Sequence, residues 1–325
     1  MSAESAVGDT PLVALDLDVT PDVYGKVEWL NFHDQPYGGG SVKSRIAVSM
    51  LDAAESANEI GSRTILEPSS GNTGLALTRV GVARGYGVEI VSYEGTSRTK
   101  LDAIRDAGGT VHLAETYEGM LAEADRLLDS GGYYRPDQYA NPANPRAHET
   151  GTGPEIHEQT SGEVTHFVAG VGSGGTITGV GRALAPEGVE IIGYEPHAPY
   201  HAIDGLKFMR GRRFETPAVY DESVLNDRLD ISTRAAYAHT HRLRGRHADR
   251  IDIRDLGQYD ESVVRERLRV DGDFLVGASG GGAVAAVHEL DRRGRFDSED
   301  TVVVPLPDRG DRYRTLPPWG RFCHR

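Results

Sequence analysis

Thr165-His166-Phe167-Val168-Ala169-Gly170-Val171-Gly172-Ser173-Gly174-Gly175-Thr176-Ile177-Thr178-Gly179-Val180-Gly181-Arg182-Ala183-Leu184 changes pattern twice within one short stretch. It opens as an apolar, strand-like run, passes through glycines, and closes with apolar positions at helical spacing. The same switch recurs along the chain. Strand-like runs cover residues 26–31, 63–67, 88–93, 165–169, 190–194, 274–276 and 301–304, and helix-like runs cover 44–58, 73–84, 100–107, 118–128, 176–184 and 282–290. Such alternation predicts an α/β fold, parallel sheets covered by helices. There is no internal repeat of 20 to 50 residues and no low-complexity linker. Asn141-Pro142-Ala143-Asn144-Pro145 is expected to interrupt regular structure and to mark a lobe boundary near residue 147, giving lobes 1–147 and 148–325. The early strand near residues 11–31 is able to pack with the second lobe.

Successive glycines in the stretch from Gly170 to Thr176 let backbone amides converge on an anion, as a phosphate demands. The spacing is also close to a dinucleotide fingerprint, and Glu195 lies about 20 residues on, where a ribose-binding acid belongs. A second turn, Ser69-Ser70-Gly71-Asn72-Thr73-Gly74, again joins a strand-like run to a helix-like one. A helix N-terminus offers unpaired N–H groups to a carboxylate or phosphate, although Ser, Asn and Thr also serve there as plain caps. A third turn is expected at Gly277-Ala278-Ser279-Gly280-Gly281-Gly282.

Gly38-Gly39-Gly40-Ser41-Val42-Lys43-Ser44-Arg45 carries glycines straight into a helix-like stretch. The chain has four lysines, Lys26, Lys43, Lys100 and Lys207, against 31 arginines, so a lysine kept behind a glycine turn stands out. An amine placed there in apolar surroundings keeps a reactive neutral fraction, which describes a Schiff-base lysine. A nicotinamide enzyme needs neither Lys43 nor the second cradle, and this weighs against the dinucleotide reading.

With 325 residues, 38% of them hydrophobic, the chain is long enough to bury a large core. No apolar run of membrane-spanning length occurs, and a soluble, cytoplasmic protein is expected. The single cysteine, Cys323, excludes an internal disulfide framework, and His239 and His241 point to different helix faces, so no metal is expected. A net charge of −14 argues against nucleic acid. Few lysines, many arginines and excess carboxylates match the hydrated acidic surfaces of halophilic proteins.

Taken in order, Ser41-Val42-Lys43, Glu67-Pro68-Ser69-Ser70-Gly71-Asn72-Thr73-Gly74, the Gln138 to Pro145 stretch, Thr152-Gly153-Pro154-Glu155-Ile156, Gly172 to Thr176, Ser279 and Pro307-Asp308-Arg309-Gly310-Asp311-Arg312-Tyr313 resemble the cysteine synthase and cystathionine β-synthase family, whose members are fold type II pyridoxal-phosphate enzymes. Gly281-Gly282-Ala283-Val284 and Asn226-Asp227-Arg228-Leu229-Asp230-Ile231 favour its B-type cysteine synthases. The resemblance implies two lobes, each a twisted parallel sheet with helices on both faces, in a homodimer. It implies that Lys43 holds the cofactor as a Schiff base and later moves the substrate Cα proton. Asn72 would bond the ring 3′-oxygen, Gly172, Ser173, Gly174, Gly175 and Thr176 the phosphate, and Ser279 the pyridine nitrogen. Ser69, Ser70, Gly71, Thr73 and Gln138 would grip the amino acid carboxylate. A neutral hydroxyl at the nitrogen weakens the ring as an electron sink and steers chemistry toward loss of a β-leaving group.

The implied reaction is β-replacement, making L-cysteine from O-acetylserine or O-phosphoserine with sulfide or thiosulfate. Use of serine and homocysteine, serine or threonine dehydration, and an inactive binding subunit are the alternatives. Residues 33–40 are longer than the family's approach to its lysine, Thr99 and Lys100 replace a usual Glu-Arg pair, and about 25 residues around 244–270 look inserted. Lys207, with Arg210, Arg212 and Arg213 behind it, follows Gly205 where B-type enzymes carry arginine, so an anion-reading segment is expected there.

Overall fold

Runs rich in valine and isoleucine become strands buried on both faces. In the computed structural model, which describes residues 7–35, 39–210, 216–246, 251–316 and 319, the strands are Leu12–Ala14 (β1), Asp22–Val27 (β2), Thr64–Pro68 (β3), Val88–Tyr93 (β4), Thr110–Ala114 (β5), Tyr133–Tyr134 (β6), His166–Gly170 (β7), Glu190–Pro196 (β8), Asp227–Ile231 (β9), Ile253–Asp255 (β10) and Thr301–Leu306 (β11). They form a seven-stranded sheet in the order β10-β1-β2-β11-β7-β8-β9 and a four-stranded sheet in the order β5-β4-β3-β6. The smaller sheet is parallel throughout, and the larger is parallel from β2 to β9, with β1 antiparallel to both its neighbours. Every residue of β11, at the centre of the larger sheet, is buried. A strand covered on both faces by crossover helices reads as a continuous apolar run.

The helices are Lys43–Ser56 (α1), Asn72–Ala83 (α2), Arg98–Asp106 (α3), Tyr117–Asp129 (α4), Ala143–Ala147 (α5), Gly153–Gln159 (α6), Gly175–Leu184 (α7), Thr233–Arg246 (α8), Glu261–Arg267 (α9) and Ala278–Arg292 (α10). Ile46, Met50 and Leu51 of α1 and Leu77 and Val80 of α2 share one core with Ile65 and Ile90 of the smaller sheet. Val284 and Val287 of α10 join Val302 and Val304 in the core of the larger sheet. The turns after β3, β7 and β11 lie at the carboxyl ends of parallel strands, the place where open α/β sheets bind ligands.

Four expectations are corrected. The strand expected at 26–31 ends at Val27, because Glu28 turns out of the sheet to meet Arg45 at 2.7 and 3.0 Å. Residues 274–276 form no strand; the Gly277 N–H is given to Asp308 and the Leu275 carbonyl accepts from Gly310, so the segment is tied to the turn after β11. Asn141 to Pro145 does not break structure. Asn141 accepts the Ala143 N–H at 3.0 Å, the prolines fall in or before the first turn of α5 where an absent N–H costs nothing, and helix continues through a π turn into α6.

Three glycines of the third turn, Gly280, Gly281 and Gly282, lie inside α10, with Gly277 just before it. A Cβ on Gly281 would collide with Thr240 and the Ala236 carbonyl of α8, and one on Gly282 with Tyr194, so these glycines serve close packing. The apparent insert supplies the end of α8, β10 and α9, with β10 pairing on β1 as the edge strand of the larger sheet. Tyr37 and Gly38, Arg212 and Arg213, residues 247–250 and Cys323 lie outside the described residues.

Candidate active site

Lys43 is the first residue of α1, and its turn is fixed on both sides. The Ser41 N–H donates to Ser44 Oγ at 3.2 Å, the Lys43 N–H to Ser41 Oγ at 3.2 Å, and the Val42 N–H to the Pro307 carbonyl at 2.9 Å. Two residues on, Arg45 binds Glu28 and, through both terminal nitrogens, Glu155 at 2.6 Å. The lysine lines two adjoining cavities. Burial lowers its pKa to about 8, against the opposing charges of Asp308 and Glu28. About a tenth of the amine is then neutral at pH 7, where an ordinary lysine keeps well under a thousandth.

The glycine turn after β7 shapes the first cavity. Gly174 has φ +88°, and a Cβ there would strike Tyr220; one on Gly172 would strike the Gly205 carbonyl, and one on Gly175 the side chain of Asn144. Each glycine is therefore required by close approach, and the turn leaves the N-terminus of α7 facing the cavity with Gly172, Ser173, Gly174 and Thr176 in its wall. Asn144 donates to Ser173 Oγ at 3.1 Å and to the Gln138 carbonyl at 2.7 Å, which ties the cradle to the neighbouring turn. Buried His148 meets Thr176 Oγ1 at 3.2 Å and Thr152 at 2.9 Å; burial and the charges of Arg45 and Lys43 push its pKa well down, so it stands neutral. A helix N-terminus without side-chain obstruction, beside a lysine with a neutral fraction of about a tenth at pH 7, fits a phosphorylated aldehyde cofactor.

Asn72 opens α2 between two charged partners, donating to Asp308 Oδ2 at 2.6 Å and accepting from Arg312 at 2.9 Å. Ser69 Oγ accepts the N–H groups of Gly71 and Gly74 at 3.2 and 3.0 Å. Thr73 donates to Gln138 Oε1 at 2.7 Å, and the backbone of Asp137 and Gln138 is held by buried Glu67, whose carboxyl burial pushes up to about 7. Ser69, Ser70, Gly71, Thr73 and Gln138 line the second cavity with Lys43. Ser279, the second residue of α10, reaches the first, and Tyr194 donates to its carbonyl. All the expected cofactor and carboxylate residues except Gly175 thus line the two cavities that share Lys43.

Lys207 is half-buried and lines a third cavity that also borders Ser70, Asp204 and Gly205. Its ammonium donates to Tyr117 at 3.2 Å and sits 4.5 Å from the Tyr139 ring centre. Arg210 is committed instead to Glu195 and Asp230 at 3.0 and 2.9 Å. Glu195 is fully buried and also accepts the Met209 N–H at 2.6 Å; it pins this turn and is not the ribose acid of a dinucleotide site.

Sequence reasoning missed Lys100, which pairs with Asp204 across the second cavity and stands over the Tyr313 ring. The scarcity of lysine, four against 31 arginines, was the signal that could have found it. Among the described residues no cluster of three or more His, Cys, Asp and Glu could hold a metal.

The sequence pattern of the family described as "Pyridoxal-phosphate dependent enzyme" matches residues 3–308. The chain belongs to that family. Cysteine synthase of Aquifex aeolicus is 34% identical over 95% of this chain and 89% of its own length. Cysteine synthase B of Escherichia coli is 34% identical over 95% and 93%. Among solved structures, O-ureido-L-serine synthase superposes with a TM-score of 0.79 at 30% identity, covering 98% of this chain and 94% of its own. Cysteine synthase of Entamoeba histolytica gives 0.78 at 25% identity, covering 98% and 90%. The protein is therefore a fold type II enzyme that uses pyridoxal phosphate.

Proposed function

We propose that the enzyme carries out β-replacement, making L-cysteine from an activated serine, O-acetylserine or O-phosphoserine, with sulfide or thiosulfate as sulfur donor. The observation that carries this reading is Lys43 standing in the wall of both the glycine-lined cavity and the Ser69–Gln138 cavity. When bound, pyridoxal phosphate supplies an electron sink for the substrate Cα. Gly172 to Thr176 would hold its phosphate, Asn72 its ring hydroxyl and Ser279 its ring nitrogen. Ser69 Oγ accepts two backbone N–H groups and so keeps its own proton to donate to the substrate carboxylate. Gln138, whose Oε1 takes the Thr73 hydroxyl, presents its amide hydrogens to the same carboxylate. Lys43 removes the Cα proton as the β-substituent leaves and returns a proton after the sulfur nucleophile has added. The same reading carries a cytoplasmic homodimer from a salt-accumulating cell, with a lobe division near residue 147.

Stopped-flow absorbance of the holoenzyme mixed in turn with O-acetylserine, O-phosphoserine and serine tests this reading. A rapid change in the cofactor's visible absorption with one activated serine, reversed by sulfide, is expected; no change with any of them overturns it. The leaving group is read at Lys207, where a charge-assisted contact is worth about 1.5 to 3 kcal/mol, or roughly ten- to a hundredfold in preference. Lys207→Ala is expected to lower kcat/KM for O-phosphoserine by that factor while sparing O-acetylserine. Equal losses on both would mean that Lys207 reads no anion.

A further inference from the structure

We propose that Asp308 is a positioning residue that receives the Lys43 ammonium whenever the lysine is released from the cofactor, and so enables Lys43 to take and return the substrate Cα proton. The inference rests on the role given to Lys43 above. Asp308 is 1% exposed and stands in the wall of the cavity that Lys43 enters. Its Oδ2 accepts from Asn72 at 2.6 Å and from the Tyr313 hydroxyl, both neutral donors. Its Oδ1 is buried and has no hydrogen-bond partner among the described residues. A buried carboxylate met only by neutral groups on one oxygen is costly unless a cation can reach the other.

The nearby fixed cation, Arg312, acts on Asp308 by its charge but makes no hydrogen bond to it. Its terminal nitrogens go to Asn72 Oδ1 at 2.9 Å and to the Gly39 and Gly40 carbonyls at 2.6 Å, and its buried Nε, like Asp308 Oδ1, has no hydrogen-bond partner among the described residues. Lys43 itself feels two carboxylates, Asp308 and Glu28. Glu28 is taken by Arg45 at 2.7 and 3.0 Å and by Asn31 at 2.9 Å. Asp308 is the carboxylate left with an open oxygen, and Lys43 is the flexible cation sharing its cavity.

The proton balance is simple. The Cα–H bond breaks, its proton forms a new N–H bond on Lys43 Nζ, and its electron pair forms the Cα–Cβ double bond as the bond to the leaving group breaks with its pair. Asp308 takes no proton and holds the resulting ammonium. In the second half, the nucleophile's lone pair bonds Cβ, the Cα–Cβ π bond breaks with its pair shifting to Cα, and the Lys43 ammonium gives up an N–H proton that bonds to that pair.

Asp308→Asn removes the charge, while its amide oxygen still accepts from Asn72 and Tyr313. Two measurements are made across pH: capture of cofactor by the full chain stripped of it, and loss of deuterium from Cα-labelled substrate in the holoenzyme. Without the carboxylate Lys43 is more readily neutral, so the capture midpoint is expected to move to lower pH, with capture at pH 7 faster by about threefold or more. Deuterium loss is expected to slow by about tenfold or more. An unmoved midpoint, or equal slowing of both processes, overturns the proposal.

Tyr313→Phe loosens the same carboxylate without discharging it and is expected to leave the midpoint at or above the wild-type pH; a fall matching that of Asp308→Asn also overturns the proposal. Should Asp308→Asn fail to fold, Asp308→Ser removes the same charge and carries the same expectation. Lys43→Ala separates the two readings, because covalent capture persisting in that variant would sink the role of Lys43 itself.

Discussion

Two side chains with displaced pKa values, Lys43 and Glu67, are set by burial rather than by a partner of opposite charge. Glu67 holds its proton up to about pH 7, where the unfolded chain gives it up near 4.5. Folding on this account favours the protonated acid, so its contribution is full below the unfolded value and is lost as pH rises through about 7. Urea denaturation of wild type and Glu67→Gln at pH 5 and pH 8 measures it. The wild type is expected to lose stability relative to the variant between those pH values, and parallel behaviour would place the ionised carboxylate in the fold. The identity of the site lysine was legible from the glycines before it. The partners of Asn72 were not, since Asp308 and Arg312 lie more than two hundred residues away and meet it only when the turn after β11 folds against α2.

Helix ends and strand ends decide what the sequence reveals about elements. α1, α2, α4 and α7 fall within two residues of their periodic runs because each buries one broad apolar face. α10 begins four residues earlier than its periodicity implies, since three glycines hide helix behind a turn signature. What those glycines do is a packing matter that no single-chain pattern shows. Gly281→Ala gains about 1 kcal/mol of helix propensity, yet its methyl would press on the Ala236 carbonyl and Thr240 of α8. Overpacking costs about 1–3 kcal/mol and should win. A net loss of stability in urea is expected, with a shift in the cofactor's absorption because Ser279 rides on the same turn; a stabilised variant would mean that α8 yields freely.

Across the whole molecule, excess carboxylate, −14 in net charge, sits on a chain whose lysines are withheld from the surface: Lys26 is fully buried, and Lys43, Lys100 and Lys207 line the contiguous cavities. Like charges repel over about 10 Å at 0.1 M salt and less at higher salt. Melting temperature is therefore expected to rise steadily with KCl toward molar concentrations, and a flat or falling curve would remove the halophilic reading. The alternation of strand and helix made the parallel sheets legible. The packing of the early strand with the second lobe was expected, whereas the particular pairings, β1 with β10 and β2 with β11, join distant segments and left no local trace. Three lysines within reach of one site also sharpen the decisive test. Borohydride reduction of the holoenzyme, followed by peptide mass mapping, fixes the cofactor to whichever amine holds it. The account predicts reduced cofactor on the peptide carrying Lys43 alone, and cofactor on Lys100 or Lys207 would contradict it.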